Sequence, residues 1–208
     1  MKFRLASIAT IAMAFGVTTA AHAQLGRQQG LLEPNVAADS ALKAISLSDP
    51  AIAALKAARP ILSVVALDSI LGAQSLTKPQ RADLYKKMFV HVDINRGADA
   101  EFMLIPGMDA KKLATIKAGR PWKSFDALGA ALSSTEQYLF IPIDLNTWTD
   151  PIMDSFASIG VGTRQWKREF AEYRPWTSME QFEREIGKYL RAKPTELKRL
   201  ERYVIVNK

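Results

Sequence analysis

The pentapeptide Arg-Pro-x-x-Ser occurs three times, as Arg59-Pro60-Ile61-Leu62-Ser63, Arg120-Pro121-Trp122-Lys123-Ser124 and Arg174-Pro175-Trp176-Thr177-Ser178. An apolar side chain follows each Ser by four residues: Leu67, Leu128 and Phe182. Proline pushes the residue before it out of the helical region and so stops the preceding helix. The Ser is suited to cap the next helix, and Ser178 with Gln181 has the spacing of a capping box. Each repeat then closes on a short apolar run. Phe89-Val90-His91-Val92-Asp93-Ile94-Asn95 matches Phe140-Ile141-Pro142-Ile143-Asp144-Leu145-Asn146, and Tyr203-Val204-Ile205-Val206-Asn207 ends the chain. The Asn at each junction suits a helix cap. Self-similarity of this kind predicts related units in tandem. With apolar residues at helical spacing (Phe102 and Ile105, Leu113 and Ile116, Trp166 and Phe170), the expected fold is all-α. The units are expected over 46–91, 92–142 and 143–208, the first being degenerate.

What precedes them reads differently. Lys2 and Arg4 flank an apolar run from Leu5 to Val17, and Ala21-His22-Ala23 is a small-x-small cleavage site. Residues 1–23 are therefore expected to be a secretory signal peptide, with Gln24 the mature N-terminus and a periplasmic or secreted location. The run is shorter than the roughly 20 apolar residues a bilayer span needs. Residues 24–45, with Gly26, Gly30 and Pro34, read as a mobile leader and linker. There is no Cys for a disulfide or a thiolate site. The net charge of +7 falls to +5 without Lys2 and Arg4, and no unit is strongly basic. A phosphate-binding site, if there is one, must be local.

The most informative local stretch is Ser158-Ile159-Gly160-Val161-Gly162-Thr163-Arg164-Gln165-Trp166-Lys167-Arg168. A helix over 151–157, capped by Asp150, is expected to run into Gly160, which can take φ > 0 and close it. Gly162 lets the turn backbone approach a partner, and Thr163 caps the second helix. Such a turn aims backbone N–H groups outward, where a phosphate can dock. Arg164, Lys167 and Arg168 then share one face of the second helix. Cations there oppose the helix dipole, so either a docked anion or nearby Glu169 and Glu172 must offset them. Unit two offers a weaker version, Ile105-Pro106-Gly107-Met108-Asp109 with Lys111 and Lys112. It lacks the second glycine, and the Asp109 carboxylate is placed to occupy the amides a phosphate would use. Unit one has Leu47-Ser48-Asp49-Pro50 at the matching place and no glycine, so it is expected to serve as a packing partner.

The hydrophobe-Gly-hydrophobe-Gly turn between helices resembles the helix-hairpin-helix motif. Val92-Asp93-Ile94-Asn95, Ile105-Pro106-Gly107 and Pro121-Trp122-Lys123-Ser124-Phe125 follow the order seen in ComEA-type competence DNA receptors, and 143–186 follows it less closely. That resemblance implies an exported helical protein binding duplex DNA without sequence specificity. On it, Gly160, Val161, Gly162, Thr163, Arg164, Lys167 and Arg168 would hold phosphates, with Gly107, Lys111 and Lys112 as a weaker site. The pattern is also similar to PsbU-type extrinsic photosystem subunits, which use the fold for protein contacts. A periplasmic scaffold that binds a protein partner is the alternative.

Catalysis finds little to work with. Beyond residue 23 the only histidine is His91, in an apolar run where a packed imidazole is expected. Carboxylates are interspersed with Lys and Arg, as on solvated faces. No catalytic residues, metal ligands or cofactor are expected, nor stable membrane insertion.

Overall fold

The computed structural model describes residues 23–27 and 30–207. The signal-peptide expectation thus falls, except for Ala23, outside the described residues. The described chain is mostly helical, with four two-residue strands. Unit one holds α1 (Asp39–Ala44), α2 (Asp49–Ala57), α3 (Val64–Ala73) and α4 (Lys78–Tyr85). Unit two runs from β1 (Val92–Asp93) through α5 (Asp99–Phe102) and α6 (Ala110–Ala118) to β2 (Leu139–Phe140). Its second half is built of 3-10 turns over Phe125–Leu128 and Ser133–Tyr138. Unit three holds β3 (Ile143–Asp144), α7 (Asp150–Ser155), α8 (Arg164–Glu172), α9 (Met179–Gly187), α10 (Pro194–Glu201) and β4 (Val204–Ile205).

The apolar runs at the unit ends pair with the beginning of the same unit. β1 lies parallel to β2, with Val92 opposite Leu139, and β3 lies parallel to β4, with Ile143 opposite Val204. Unit one has the same closure in miniature, a parallel bridge between Leu32 and Met88. Its start must therefore be moved from 46 to about 31. The leader expected over 24–45 is largely structured: α1 lies inside it, and Leu25, Leu31 and Leu42 are buried. Apolar burial outweighs the Gly and Pro punctuation that made the segment read as a linker.

A polar clamp repeats in each unit and explains the Arg-Pro motif. All three Arg-Pro bonds are cis. The residue after each proline is gripped by one asparagine. Asn35 takes the Ile61 N–H at 2.6 Å and donates to the Ile61 carbonyl at 3.0 Å. Asn95 does the same to Trp122 (2.7 and 3.0 Å), and Asn146 to Trp176 (2.8 and 2.9 Å). Each Arg then donates to two carbonyls beside that Asn: Arg59 to Pro34 and Ala37, Arg120 to Ile94 and Gly97, Arg174 to Leu145 and Trp148. The junction asparagines are thus clamps and not the helix caps expected of them. The serines cap as expected, Ser63 accepting from Ala66, Ser124 from Asp126 and Ser178 from Gln181. Gln181 reaches back to the Thr177 N–H, one residue before the cap position.

Two hydrophobic clusters result. One joins units one and two and includes Phe89, Phe102, Ile116, Trp122 and Tyr138; the other fills unit three around Phe156, Phe170, Trp176, Phe182 and Tyr203. Trp122 and Trp176 lie over their hairpins, their indole N–H groups bonded to the Ile116 and Phe170 carbonyls at 2.8 and 2.9 Å.

Removing one clamp leaves a peptide N–H and a C=O without partners, each at about 1–3 kcal/mol. Asn146→Ala should therefore lower unfolding free energy by about 2–6 kcal/mol in urea titrations. Asn146→Asp, which keeps the acceptor for Trp176 N–H, should lose less.

Candidate functional site

Hairpin three adopts the expected turn in outline. α7 begins at Asp150, with Thr149 in the cap position, one residue before the start expected from Asp150 as cap. It gives way to a 3-10 turn over Ala157–Ile159, which ends on Gly160 in the left-handed region (φ 75°, ψ 14°). Thr163 caps α8, its hydroxyl accepting the Trp166 N–H at 3.4 Å.

The amides of this turn face inward. Gly160 N–H donates to Ala157 O at 3.0 Å, and the Val161 and Gly162 N–H groups both donate to Phe156 O, at 3.2 and 3.1 Å. Val161 and Gly162 are buried. A Cβ at position 162 would stand 1.7 Å from the Met153 carbonyl oxygen, so the second glycine serves a close approach to the hairpin's own first helix. A Cβ at 160 would meet Val36 Cγ1 at 3.1 Å and Arg199 Nη2 at 3.6 Å. Arg199, almost wholly buried, donates to the Ile159 carbonyl at 2.9 Å and is paired with Glu196. Unit one and α10 therefore cover the bend, and the outward phosphate cradle expected at Gly160, Val161 and Gly162 is not formed.

The flanking cations are also engaged. Lys167 Nζ lies 2.6 Å from Asp154 and 3.2 Å from Asp150. The Asp154 carboxylate holds that ammonium above its ordinary pKa. Arg168 is bound to the buried carboxylate of Glu169, which raises its pKa likewise. The neutralising carboxylates thus come from α7 and Glu169 more than from the Glu172 spacing. Arg164 is exposed, and among the described residues it has no ion-pair partner.

The other two hairpins are built on a shorter turn. In hairpin two the left-handed residue is Gly107 (φ 76°), two positions before the cap Asp109. In hairpin one it is Ser46 (φ 69°), two positions before the cap Ser48. Unit one thus makes this shorter turn without glycine. Hairpin three has one more residue between those points, and Gly162 accommodates it. Hairpin two is open to solvent: Gly107, Asp109 and Lys111 are exposed and Lys112 is half-buried. Asp109 caps α6 through the Lys112 N–H at 2.8 Å, and Lys112 Nζ donates to Gly107 O at 2.6 Å.

Beside hairpin two, α4 borders an open groove of about 420 Å³ lined by Lys78, Arg81, Tyr85, Met103, Pro106 and Met108. At its floor Asp68 accepts from Arg81 at 2.7 Å and from Tyr85 at 2.5 Å. Burial works to raise the Asp68 pKa, but the bonds from Arg81 and Tyr85 outweigh it and hold it below the usual aspartate value. His91 is fully buried, its Nδ1 3.3 Å from a Glu33 carboxylate oxygen. Among the described residues no group of three His, Asp or Glu side chains is arranged to hold a metal ion, and no helix is long and apolar enough to cross a membrane.

Comparison with protein-family models, with curated proteins and with solved structures finds no match.

Two outcomes follow. Gly162→Ala should destabilise the fold by about 1–3 kcal/mol through overpacking against Met153, whereas Gly107→Ala, whose Cβ would meet only Lys112 Nζ at 4.0 Å, should cost only the left-handed backbone term of about 1–2 kcal/mol; paired urea titrations compare them. Because the folded pKa of Asp68 is depressed, its contribution is present above the unfolded value near 4 and is lost as pH falls through the folded value. Asp68→Asn should therefore flatten the acid limb of a stability-versus-pH curve below about pH 4.

Proposed function

We propose that this chain is an exported, non-catalytic protein of tandem helix-hairpin-helix units that acts as a scaffold holding a protein partner. The observation that carries this reading is the inward commitment of the Gly160, Val161 and Gly162 amides to the Ala157 and Phe156 carbonyls. A hairpin that grips nucleic acid needs those donors free, and here they join one helix to the next. The engagement of Lys167 and Arg168 by Asp150, Asp154 and Glu169 argues the same way, since neutralised cations release few counterions from a duplex. The scarcity of histidine and absence of cysteine support the non-catalytic part, and the Lys2–Ala23 pattern supports export.

One observation favours a second reading, duplex DNA held at hairpin two: Gly107 is left-handed, solvent-facing and followed by Lys111 and Lys112. The Asp109 carboxylate on the first amides of α6 weighs against it.

Fluorescence polarisation with a labelled duplex separates the two. The scaffold reading expects no saturable binding at micromolar protein and low salt, and no effect of Arg164→Ala. Saturable binding that falls with salt at about −0.9 per phosphate contacted, and that Lys111→Glu with Lys112→Glu removes, would replace it with the DNA reading.

A further inference from the structure

The residues just after the expected cleavage site are not a loose end. Gln24 O accepts the Ile141 N–H at 2.8 Å, and Gly26 N–H donates to Leu139 O at 3.1 Å. Leu25 bridges Phe140 in antiparallel register, so residues 24–26 lie along the β2 edge. The Leu25 N–H reaches the Ser155 hydroxyl on α7 at 3.3 Å, and its side chain is buried in the unit-three cluster. A Cβ at position 26 would stand 1.8 Å from Glu136 O. This segment thus bonds to unit two and packs into unit three, while Ala23, immediately before it, is exposed.

We propose that residues 24–26 form a strap whose docking shields the Ala23–Gln24 bond, so that processing precedes closure of the strap. The proposal rests on the export reading above. A peptidase binds its substrate as an extended segment and needs backbone groups on both sides of the bond it cuts. On the C-terminal side those groups are already bonded to Ile141, Ser155 and Leu139, and the second side chain is buried. Cleavage of the docked form must wait for the strap to open, and its rate follows the open population. Once the bond is cut, the new N-terminus closes onto β2 and ties unit three to unit two.

The test uses the full-length precursor, refolded or held in urea that the peptidase tolerates, with purified leader peptidase as the probe and N-terminal sequencing of the product. The refolded wild type should be cut at Ala23–Gln24 at least about tenfold more slowly than the unfolded chain. Refolded Leu25→Asp, which places a carboxylate in the apolar slot, should be cut at close to the unfolded rate. Its unfolded form should match unfolded wild type, which removes any effect of the substitution on the peptidase. Circular dichroism checks that Leu25→Asp still folds; if it does not, Gly26→Ala, which collides with Glu136 O, takes its place. Equal cutting of folded and unfolded wild type overturns the strap alone, as does slow cutting of both folded variants. Failure to cut even the unfolded chain at that bond overturns the export reading and the strap with it.

Discussion

Each unit hangs on one asparagine. The amide of Asn35, Asn95 or Asn146 satisfies both backbone groups of the residue after an Arg-Pro bond, and the arginine of that bond reaches back to two carbonyls beside the asparagine. Four hydrogen bonds thereby join the entry of a unit to its middle, in a region without regular secondary structure to supply them. Without the clamp those peptide groups would lie inside the protein without partners, a penalty larger than the net worth of the bonds themselves. With it, the cis turn is fixed, the serine two residues on can cap the next helix, and in units two and three the tryptophan is set over its hairpin. Helix order and core packing follow from that arrangement.

The same logic gives the hairpins their different fates. All three use a left-handed residue, yet only hairpin three carries the extra glycine, and there the bend presses against Val36 of unit one and Arg199 of α10. A glycine pair in a turn can serve a ligand or serve packing. At Gly162 a neighbouring carbonyl occupies the space a side chain would need, so packing is its use. Hairpin two, with the poorer motif, faces solvent at Gly107 and Asp109.

Much of this could be read from residue order. Ser63, Ser124 and Ser178 cap because a hydroxyl ahead of an apolar helix has that local use. The left-handed Gly160 and the cap at Thr163 were equally local. What could not be read depends on distant partners. Val36 and Arg199 lie far from Gly160 in the chain, and nothing near the turn announces them. One missed signal was present: Glu33-Pro34-Asn35 is the counterpart of Asp93-Ile94-Asn95 and Asp144-Leu145-Asn146. Its proline and the nearby glycines suggested a linker, and only the pairing of Asn35 with Ile61 shows that the first unit begins there. Ser46 hid its turn for a similar reason, since a left-handed serine has no residue-level mark.

The parallel closure of each unit has an evolutionary corollary. Because entry and exit strands sit side by side, about 4.8 Å apart, a unit leaves the main path of the chain and returns almost to where it left. A gene segment encoding such a loop can be duplicated in tandem with little disturbance to what flanks it, since the copy spans almost no distance. Units that share their clamps and differ in their bends can be added in this way without moving what stands on either side.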